Sequence, residues 1–193
     1  MDKKYSQLDD QEYIVEFFKD TTGRFLDIGA FDGIIFSNTY QLVLNGWSGV
    51  SFDPSTIYDI LKENLKDYPV ECVKCGLGFN DGEITFWDGE GNALSTSEKW
   101  HMKMWKKANA KFTKTTIKTM SWDTILDTYG TDFDLINIDA EGNSVDLFKK
   151  LPYERLPNLK MIIVEYDERP DEVQMLGFKE LHRNALNILL VKE

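Results

Sequence analysis

Residues 25–33, with the sequence FLDIGAFDG, decide the fold that we expect for this chain. The run from Arg24 to Ile28 is short and mostly apolar, which is typical of a buried strand. Two glycines, Gly29 and Gly33, follow closely, and a helical pattern begins after them. Glycine accepts positive φ angles and leaves room for a ligand close to the backbone. A strand that passes through such a turn into a helix presents backbone N–H groups to a ligand and indicates an α/β protein.

The spacing within this turn distinguishes two kinds of cofactor site. The dinucleotide-binding pattern G-x-G-x-x-G requires a glycine where this chain has Asp27. The chain instead reads D-x-G-x-x-x-G, with Asp27, Gly29 and Gly33 in register. An acid at the first position suits a cofactor with a cationic amino-acid end better than a pyrophosphate. The turn is similar to the first motif of class I S-adenosylmethionine (SAM) methyltransferases; the alternative is that it serves the fold alone.

Strand-like and helical patterns alternate along the rest of the chain. Residues 1–20 carry apolar side chains at helical spacing and predict an N-terminal amphipathic helix. A second helix is predicted from Ser37 to Asn45, with Gly46 as the glycine that ends it. Apolar or alternating runs predict strands at 24–28, 47–53, 70–75, 84–87 and 115–120, within 133–142 and at 160–165, and a closing antiparallel pair between Gly177 and Val191.

This order predicts a single domain over residues 1–193. We expect an α/β fold with a doubly wound, mostly parallel, Rossmann-like sheet of about seven strands, helices on both faces and a C-terminal antiparallel hairpin. The strand at 160–165 is so apolar that it should be central. Because ligands bind at the carboxyl ends of the strands in such sheets, the site should lie at that edge.

The overall charge restricts the partners that we expect. The 193 residues include 22 Lys and Arg and 33 Asp and Glu, for a net charge of −11. Nucleic-acid binding rewards clustered positive charge, so an acidic chain argues against a nucleic-acid partner. The N-terminus lacks the apolar core of a secretory signal, and no apolar run is long enough to span a bilayer. We therefore expect a cytoplasmic protein with no membrane partner; the sequence leaves the oligomeric state open.

The two cysteines, Cys72 and Cys75, are spaced C-x-x-C within a predicted strand. A separation of three residues in a strand puts the side chains on opposite faces. No second Cys/His pair is present to complete a zinc site. The spacing therefore predicts neither a disulfide nor a metal site, and no metal-ligating residue is assigned.

Asp53 ends the second predicted strand, 20 residues after Gly33. An acid at this place in a βαβ unit accepts hydrogen bonds from both hydroxyls of an adenosine ribose. The alternative is a surface carboxylate before a helix, because Pro54 and Ser55 are a good helix start. Gly76 follows the third strand, where an adenine edge is usually met.

Residues 93–120 form a basic segment in an acidic chain. Its lysines alternate with tryptophans and methionines, and His101 lies among them. One interpretation is a lid or acceptor-binding segment that favours an anionic or sugar-like substrate, with His101 as a base. The other is a solvated amphipathic helix with a structural histidine.

With these stretches considered together, the sequence resembles the FkbM family of SAM-dependent methyltransferases. The resemblance implies O-methylation, with SAM as donor, of a hydroxyl on a sugar, a glycan or another small metabolite. Three positions depart from the family pattern: Asn137 stands where Lys is usual, Asp53 where Glu is usual, and Ser144 where Glu is frequent. The matching motifs cover nearly the whole chain, at residues 6–7, 11–12, 25–30, 32–33, 37–39, 46–47, 53–54, 122–126, 138–142, 164–165 and 177–178.

We expect the glycine turn to meet the methionine end of SAM, with Asp27 orienting its ammonium group directly or through water. Ser37 or Asn38, at the start of the next helix, would hydrogen-bond the methionine carboxylate, helped by the helix N-terminus. Asp53 would hold the ribose, and Gly76 would lie against the adenine. The turn residues assigned to the cofactor are Gly29, Ala30, Phe31 and Gly33.

An aliphatic hydroxyl keeps its proton at pH 7, so a general base is useful, at about 10²- to 10⁴-fold in rate. Asp139 is the first candidate and Glu141 the second, because two close acids raise the pKa of one of them. In one alternative Asp139 contacts only the SAM amino group; in another, Asp139 and Glu165 share a Mg²⁺ that lowers the pKa of the acceptor. A non-enzymatic alternative is a SAM-binding or glycan-binding interaction module without turnover.

Overall fold

The structure is a computed structural model that describes residues 3–166, 169–173, 175 and 177–192. Residues 1 and 2 of the predicted N-terminal segment lie outside the described residues. The helices are α1 (Asp10–Phe18), α2 (Tyr40–Leu44), α3 (Tyr58–Leu65), α4 (Lys99–Lys107), α5 (Trp122–Tyr129) and α6 (Ser144–Phe148). The strands are β1 (Arg24–Ile28), β2 (Ser48–Phe52), β3 (Val70–Val73), β4 (Gly76–Leu77), β5 (Gly82–Asp88), β6 (Thr113–Met120), β7 (Leu135–Ile138), β8 (Met161–Glu165), β9 (Phe178–Arg183) and β10 (Asn187–Lys192).

Seven strands form the main sheet, in the order β3-β2-β1-β7-β8-β10-β9. The first five strands in this order run parallel to one another. Strand β10 is antiparallel to both β8 and β9 and closes the sheet as a hairpin. The predicted α/β fold, the central position of the strand near residue 160 and the antiparallel hairpin are all confirmed.

Two layers of helices cover the two faces of this sheet, as the doubly wound prediction requires. Along β8, Met161 and Ile163 point to one face, and Ile162 and Val164 point to the other, because side chains alternate along a strand. Helices α1, α2 and α3 pack on the first face, and α5 and α6 pack on the second. The two apolar cores hold the parallel strands in place, so their carboxyl ends meet at a common edge.

A second, three-stranded sheet has the order β4-β6-β5 and is not predicted by the sequence analysis. Strand β6 is parallel to β4 and antiparallel to β5. The third strand of the main sheet, predicted over residues 70–75, ends at Val73, and Gly76 begins a strand of this second sheet. The chain therefore leaves the main sheet earlier than its β-like composition suggests.

Helix α1 is tied to the far end of the chain by a buried carboxylate. Asp10 is fully buried, and its two oxygens accept hydrogen bonds from Asn184 Nδ2 at 2.7 Å and Asn187 Nδ2 at 2.9 Å. Burial raises the pKa of the Asp10 carboxyl. These bonds hold α1 against the β9–β10 hairpin, so the predicted N-terminal helix covers that sheet edge.

Cys72 and Cys75 are free thiols. Cys75 lies beyond the end of β3, where its Sγ is 3.2 Å from the Lys118 carbonyl oxygen. Among the residues that the structure describes, no helix has the length and apolar character needed to cross a membrane.

Substitution of Asp10 by Ala should lower the free energy of unfolding by about 2 kcal/mol, since two buried amide donors lose a charged acceptor. Urea denaturation at pH 7.5 measures the change. Glu12→Ala, at an exposed position on the same helix, is the control and should stay within about 0.5 kcal/mol of the unsubstituted chain. Equal losses in the two variants would contradict the role of Asp10 as the anchor of α1.

Candidate functional site

A cleft of about 990 Å³, partly open to solvent, lies where β1, β2 and β7 end. All but one of the residues that the sequence analysis assigned to a cofactor or to catalysis line this cleft, the exception being Gly33. The assigned residues found in the lining are Asp27, Gly29, Ala30, Phe31, Ser37, Asn38, Asp53, Gly76, Asp139 and Glu141.

The turn after β1 is held by both neighbouring strands. Backbone N–H groups of Gly29 and Ala30 both donate to the Phe52 carbonyl at 2.9 Å, and the Asp139 N–H donates to Ile28. Gly29 has φ +82°, and a Cβ built on it would lie 1.7 Å from the Asp139 carbonyl oxygen. Only glycine fits this place, and its absence of a side chain lets the ends of β1 and β7 meet.

Gly33 has a different environment from the other turn glycine. Its φ is +78°, and a Cβ would lie 2.8 Å from the Leu61 side chain and 3.0 Å from that of Leu65. Gly33 is therefore placed against α3 and outside the cleft. Its spacing from Asp27 is explained by the packing of that helix on the turn, without a cofactor contact.

Asp27 lies buried at the floor of the cleft within a polar network. One of its oxygens accepts from Thr39 Oγ1 at 2.6 Å and the other from Asn137 Nδ2 at 2.8 Å. No hydrogen bond or ion pair in the described part of the chain gives Asp27 a cationic partner. Burial therefore raises its pKa, and the carboxylate is poised for a cation from outside the protein.

The segment just before α2 supplies more polar groups to the same place. Asn38 Nδ2 donates to Asn137 Oδ1 at 3.1 Å, but Asn38 Oδ1 is buried with no hydrogen-bond partner among the described residues. Ser37 Oγ accepts from the backbone N–H groups of Thr39 and Tyr40. The predicted start of the helix at Ser37 is wrong: α2 begins at Tyr40, with Thr39 as its N-cap residue, and Ser37 stabilises the turn before it. An unpaired buried acceptor beside a buried carboxylate favours a ligand that brings N–H donors and positive charge.

Asp53 lies just after β2 and is almost completely buried. Its Oδ2 accepts from the Phe31 N–H at 3.0 Å, and its Oδ1 accepts from the Ser55 N–H at 2.9 Å and from the Ser55 hydroxyl. Burial is the main cause that raises the pKa of Asp53 to about 6. The Phe31 bond holds that residue at φ +51°, an unusual conformation for a bulky side chain.

The second sheet forms an apolar wall on this side of the cleft. Leu77, Ile84, Phe86 and Ile117 line it together with Gly76. A Cβ on Gly76 would lie 3.1 Å from the Ile117 side chain and 3.7 Å from that of Pro54. The Gly76 backbone thus packs closely against Ile117 and Pro54, and the apolar lining beside it suits an aromatic ring. The sequence analysis identified Gly76 but not the four residues of the wall, whose strands are assembled from distant segments.

Three carboxylates gather at the other end of the cleft. Asp139, Glu141 and Glu165 each place an oxygen within 4.8 Å of the other two, at the ends of the adjacent strands β7 and β8. Glu141 has φ +40° and is followed by Gly142 at +93°. Strained backbone in a turn of this kind costs about 1–3 kcal/mol and is concentrated at functional sites. The predicted proximity of Asp139 to both glutamates is present in the structure.

Helix α4 packs directly on this turn. His101 Nε2 lies 3.2 Å from Glu141 Oε2 and accepts a hydrogen bond from Trp105 Nε1 at 3.0 Å. Burial lowers the pKa of His101 to about 4, so the ring is neutral at pH 7 and the contact with Glu141 is not an ion pair. His101 is behind Glu141 and does not line the cleft, so it is not placed to act on a substrate there.

The positions that depart from the family pattern have structural partners in this chain. Asn137, in place of Lys, donates to Asp27, as described above. Ser144, in place of Glu, accepts from the Ala140 N–H at 2.8 Å and lies 3.4 Å from Glu165 Oε2. The Asn137 amide therefore removes a cation from the floor of the cleft and leaves Asp27 with neutral donors.

A second group of possible metal ligands, Asp9, Asp10 and His182, lies at the α1–hairpin contact. Asp9 Oδ1 is 3.0 Å from both His182 Nε2 and Asn184 Nδ2. Tyr13 stacks on the His182 ring at 3.7 Å. These groups bind one another and tie α1 to the sheet, so we assign them to the fold.

Residues 27–192 match the family model described as the methyltransferase FkbM domain. Monomeric WbdD is similar in structure, with a TM-score of 0.58 and 13% sequence identity over 99% of this chain and 42% of that chain. Methyltransferase FkbM from Methylobacillus flagellatus KT gives a TM-score of 0.54 and 12% identity over 93% of this chain and 47% of that chain. This chain thus spans less than half the length of either protein, and identities this low show a shared fold alone.

A comparison with curated proteins found no match. The family model nevertheless extends from Asp27 at the floor of the cleft to Lys192 at the end of β10. It therefore includes the second sheet and the main sheet apart from the first residues of β1. It also includes every residue that lines the cleft except Gln7. The chain belongs to the FkbM methyltransferase family.

Proposed function

We propose that this chain is a SAM-dependent O-methyltransferase that acts on a hydroxyl of a sugar, a glycan or another small metabolite. The observation that carries the proposal is the buried Asp27 carboxylate, which has no cationic partner among the described residues. Burial of a carboxylate without a cation is unfavourable, and an amino-acid ammonium group removes that penalty. The same cleft has an apolar wall at its other side, as a cofactor with one cationic and one aromatic end requires.

The residues present fit such a cofactor along its length. Asp27 and the unpaired Asn38 Oδ1 accept hydrogen bonds from the ammonium group. Asp53 still has acceptor capacity after its bonds to Phe31 and Ser55, and it receives the ribose hydroxyls. The adenine would lie beside Gly76, against the apolar wall of the second sheet.

Bound SAM supplies a methyl group on a positively charged sulfur. The protein's task is to align the acceptor oxygen with that group, to exclude water and to receive the acceptor's proton. Asp139 and Glu141 lie at the cleft end where the proton must leave, and each has a carboxylate oxygen within 4.8 Å of the other. Asp139 takes the acceptor's proton, and Glu141, which also lines the cleft, is the second candidate for this role.

A divalent cation is the alternative way to activate the acceptor. Asp139, Glu141 and Glu165 offer three oxygen ligands within 4.8 Å of one another, the ligand type that Mg²⁺ prefers. In this version the carboxylates hold the ion, which lowers the pKa of the acceptor hydroxyl. The general-base version requires no ion at these residues.

Thermal melting with and without 5 mM MgCl₂ distinguishes the two versions. If the general-base version is correct, Mg²⁺ should shift the melting temperature equally in the unsubstituted chain and in Glu165→Gln, since no ligand set is lost. A stabilisation by Mg²⁺ that disappears in Glu165→Gln and after addition of EDTA would favour the metal version.

Calorimetric titration tests the cofactor directly. The unsubstituted chain should bind SAM and its demethylated product with micromolar affinity and should not bind NAD. Asp53→Asn should weaken SAM binding by about 10- to 100-fold, because a charged acceptor for the ribose is replaced by an amide. The control is Asp59→Ala, an exposed carboxylate on α3, which should bind SAM as the unsubstituted chain does. Failure to bind SAM, or a preference for NAD, would contradict the proposal.

Because the pKa of Asp53 is raised, we expect Asp53→Asn to stabilise the fold although it weakens SAM binding. In the folded state its pKa is about 6, above the unfolded value of 3.8, so the protonated form is favoured and stability is lost as pH rises from about 4 to above 6. Asp53→Asn has no such charge to bury. Relative to the unsubstituted chain, the variant should therefore gain about 2 kcal/mol of unfolding free energy between pH 4 and pH 7.5. Urea denaturation across this range measures the gain.

A pH-independent difference between the two proteins would contradict the buried, charged state of Asp53. A variant that is more stable and binds SAM less tightly would show that this carboxylate is kept for binding at a cost to the fold.

A module without turnover remains the alternative function, supported by the overlap between residues that bind SAM and residues that use it. Binding of SAM without methyl transfer to a broad panel of hydroxyl compounds would favour that module.

A further inference from the structure

The basic segment of the chain is separated from its acidic remainder. Seven lysines and one acid, Glu98, give residues 93–120 a net charge of +6. Because the whole chain has a net charge of −11, the residues outside this segment have a net charge of −17. None of these lysines forms a salt bridge with a carboxylate in the part of the chain that the structure describes. The lysines are Lys99, Lys103, Lys106, Lys107, Lys111, Lys114 and Lys118.

Four of these lysines share one face of α4. At 100° per residue, Lys99, Lys103, Lys106 and Lys107 fall within about 100° of the helix circumference, and all four are exposed. Trp100 borders the same face next to Lys107, and 45% of its surface is exposed. The opposite side of the helix is anchored by His101 and Met102, which are buried. We call the exposed set of four lysines and Trp100 the α4 basic face.

This face begins beside the catalytic end of the cleft. A Cβ built on Gly142 would lie 3.2 Å from Trp100 Cζ2 and 3.3 Å from Glu98 Cβ. Thr96 Oγ1 donates to the Glu141 carbonyl at 2.5 Å, so the chain that leads into α4 is bonded to the same turn. Trp100 is thus the exposed aromatic side chain next to the turn that carries Glu141.

We propose that the α4 basic face docks the acceptor, and that the acceptor is a small anionic saccharide. This inference rests on the proposed O-methyl transfer and adds the substrate class. The lysines complement carboxylate, sulfate or phosphate groups, and the exposed indole of Trp100 provides a flat apolar surface for the face of a sugar ring. The ring stacked on Trp100 then lies beside the turn that carries Glu141.

The size and surroundings of the face determine which anions fit. Helix α4 has nine residues and is about 14 Å long, room for two or three sugar units. The adjoining cavity, of about 1000 Å³, is lined by Asp81, Glu83 and Glu98 and repels anions. Outside residues 93–120 the chain carries a net charge of −17. A short anionic chain is therefore favoured, whereas a long polyanion such as RNA would extend from the face onto surface of its own charge.

Binding of defined oligosaccharides tests the proposal without knowledge of the natural acceptor. The probes are trigalacturonate, a sulfated trisaccharide, the neutral cellotriose and a six-nucleotide RNA, titrated into the full chain at 50 mM salt with saturating demethylated cofactor product. The two anionic saccharides should bind at least 10-fold more tightly than cellotriose and than the RNA. Their affinity should fall as the salt concentration is raised.

Two variants and a matched control locate the site. Lys103→Glu/Lys107→Glu should weaken binding of the anionic saccharides by at least 10-fold, and Trp100→Ala should weaken it several-fold with loss of the tryptophan fluorescence change. Lys62→Glu/Lys150→Glu makes the same change in net charge at exposed lysines elsewhere and should bind as the unsubstituted chain does. None of these variants should alter SAM binding, which reports separately on the proposed function and on folding.

Each other outcome would overturn the inference. Equal loss in the two double variants would mean that only net charge matters, and unchanged binding in Lys103→Glu/Lys107→Glu would place the saccharide elsewhere. Tighter binding of the RNA would make the face a nucleic-acid surface. Absence of saccharide binding with normal SAM binding would reject this acceptor class while leaving the methyltransferase proposal intact.

Discussion

The contact between Gly29 and the Asp139 carbonyl is the constraint on which the site depends. With no side chain at Gly29, the end of β1 is bonded on one side to Phe52 at the end of β2 and on the other to Asp139 at the end of β7. Asp27, Asp53 and Asp139 consequently lie around one cleft although they are far apart in sequence. A larger residue at position 29 would separate these strand ends and disperse the carboxylates.

The cleft concentrates negative charge where water is scarce, and this arrangement opposes stability. Burial raises the pKa of both Asp27 and Asp53, so each carboxylate is less favourable in the folded chain than in water. Neutral donors, such as Asn137 and Ser55, reduce the penalty without cancelling the charge. A protein selected for stability alone would have an amide at these positions, so the charge itself points to a cationic or hydroxyl-rich ligand.

The alternation of strands and helices could be predicted from sequence because each element carries its own apolar period, and the turn at Gly29 because its glycine follows a strand. The second sheet could not be predicted, since β4 has two residues and pairs with β6 more than 40 residues later. The roles of Thr39 and Asn137 also depend on contacts between distant residues. Gly33 shows that a sequence motif can also assign a residue to the wrong surroundings. Its spacing matches a cofactor motif, but its neighbours in the structure are Leu61 and Leu65.

Helix α4 connects the surface of the protein to the chemistry of the cleft. The neighbouring Thr96 hydroxyl donates to the Glu141 carbonyl, so the positive φ of that residue is stabilised by a contact from this segment. The exposed side of the same helix carries the unpaired lysines. Trp100 and His101 pack against Gly142, so a displacement of α4 would disturb the turn that carries Glu141. In the proposed function, docking of the acceptor on α4 and alignment of the proton-accepting carboxylate would therefore be linked through these contacts.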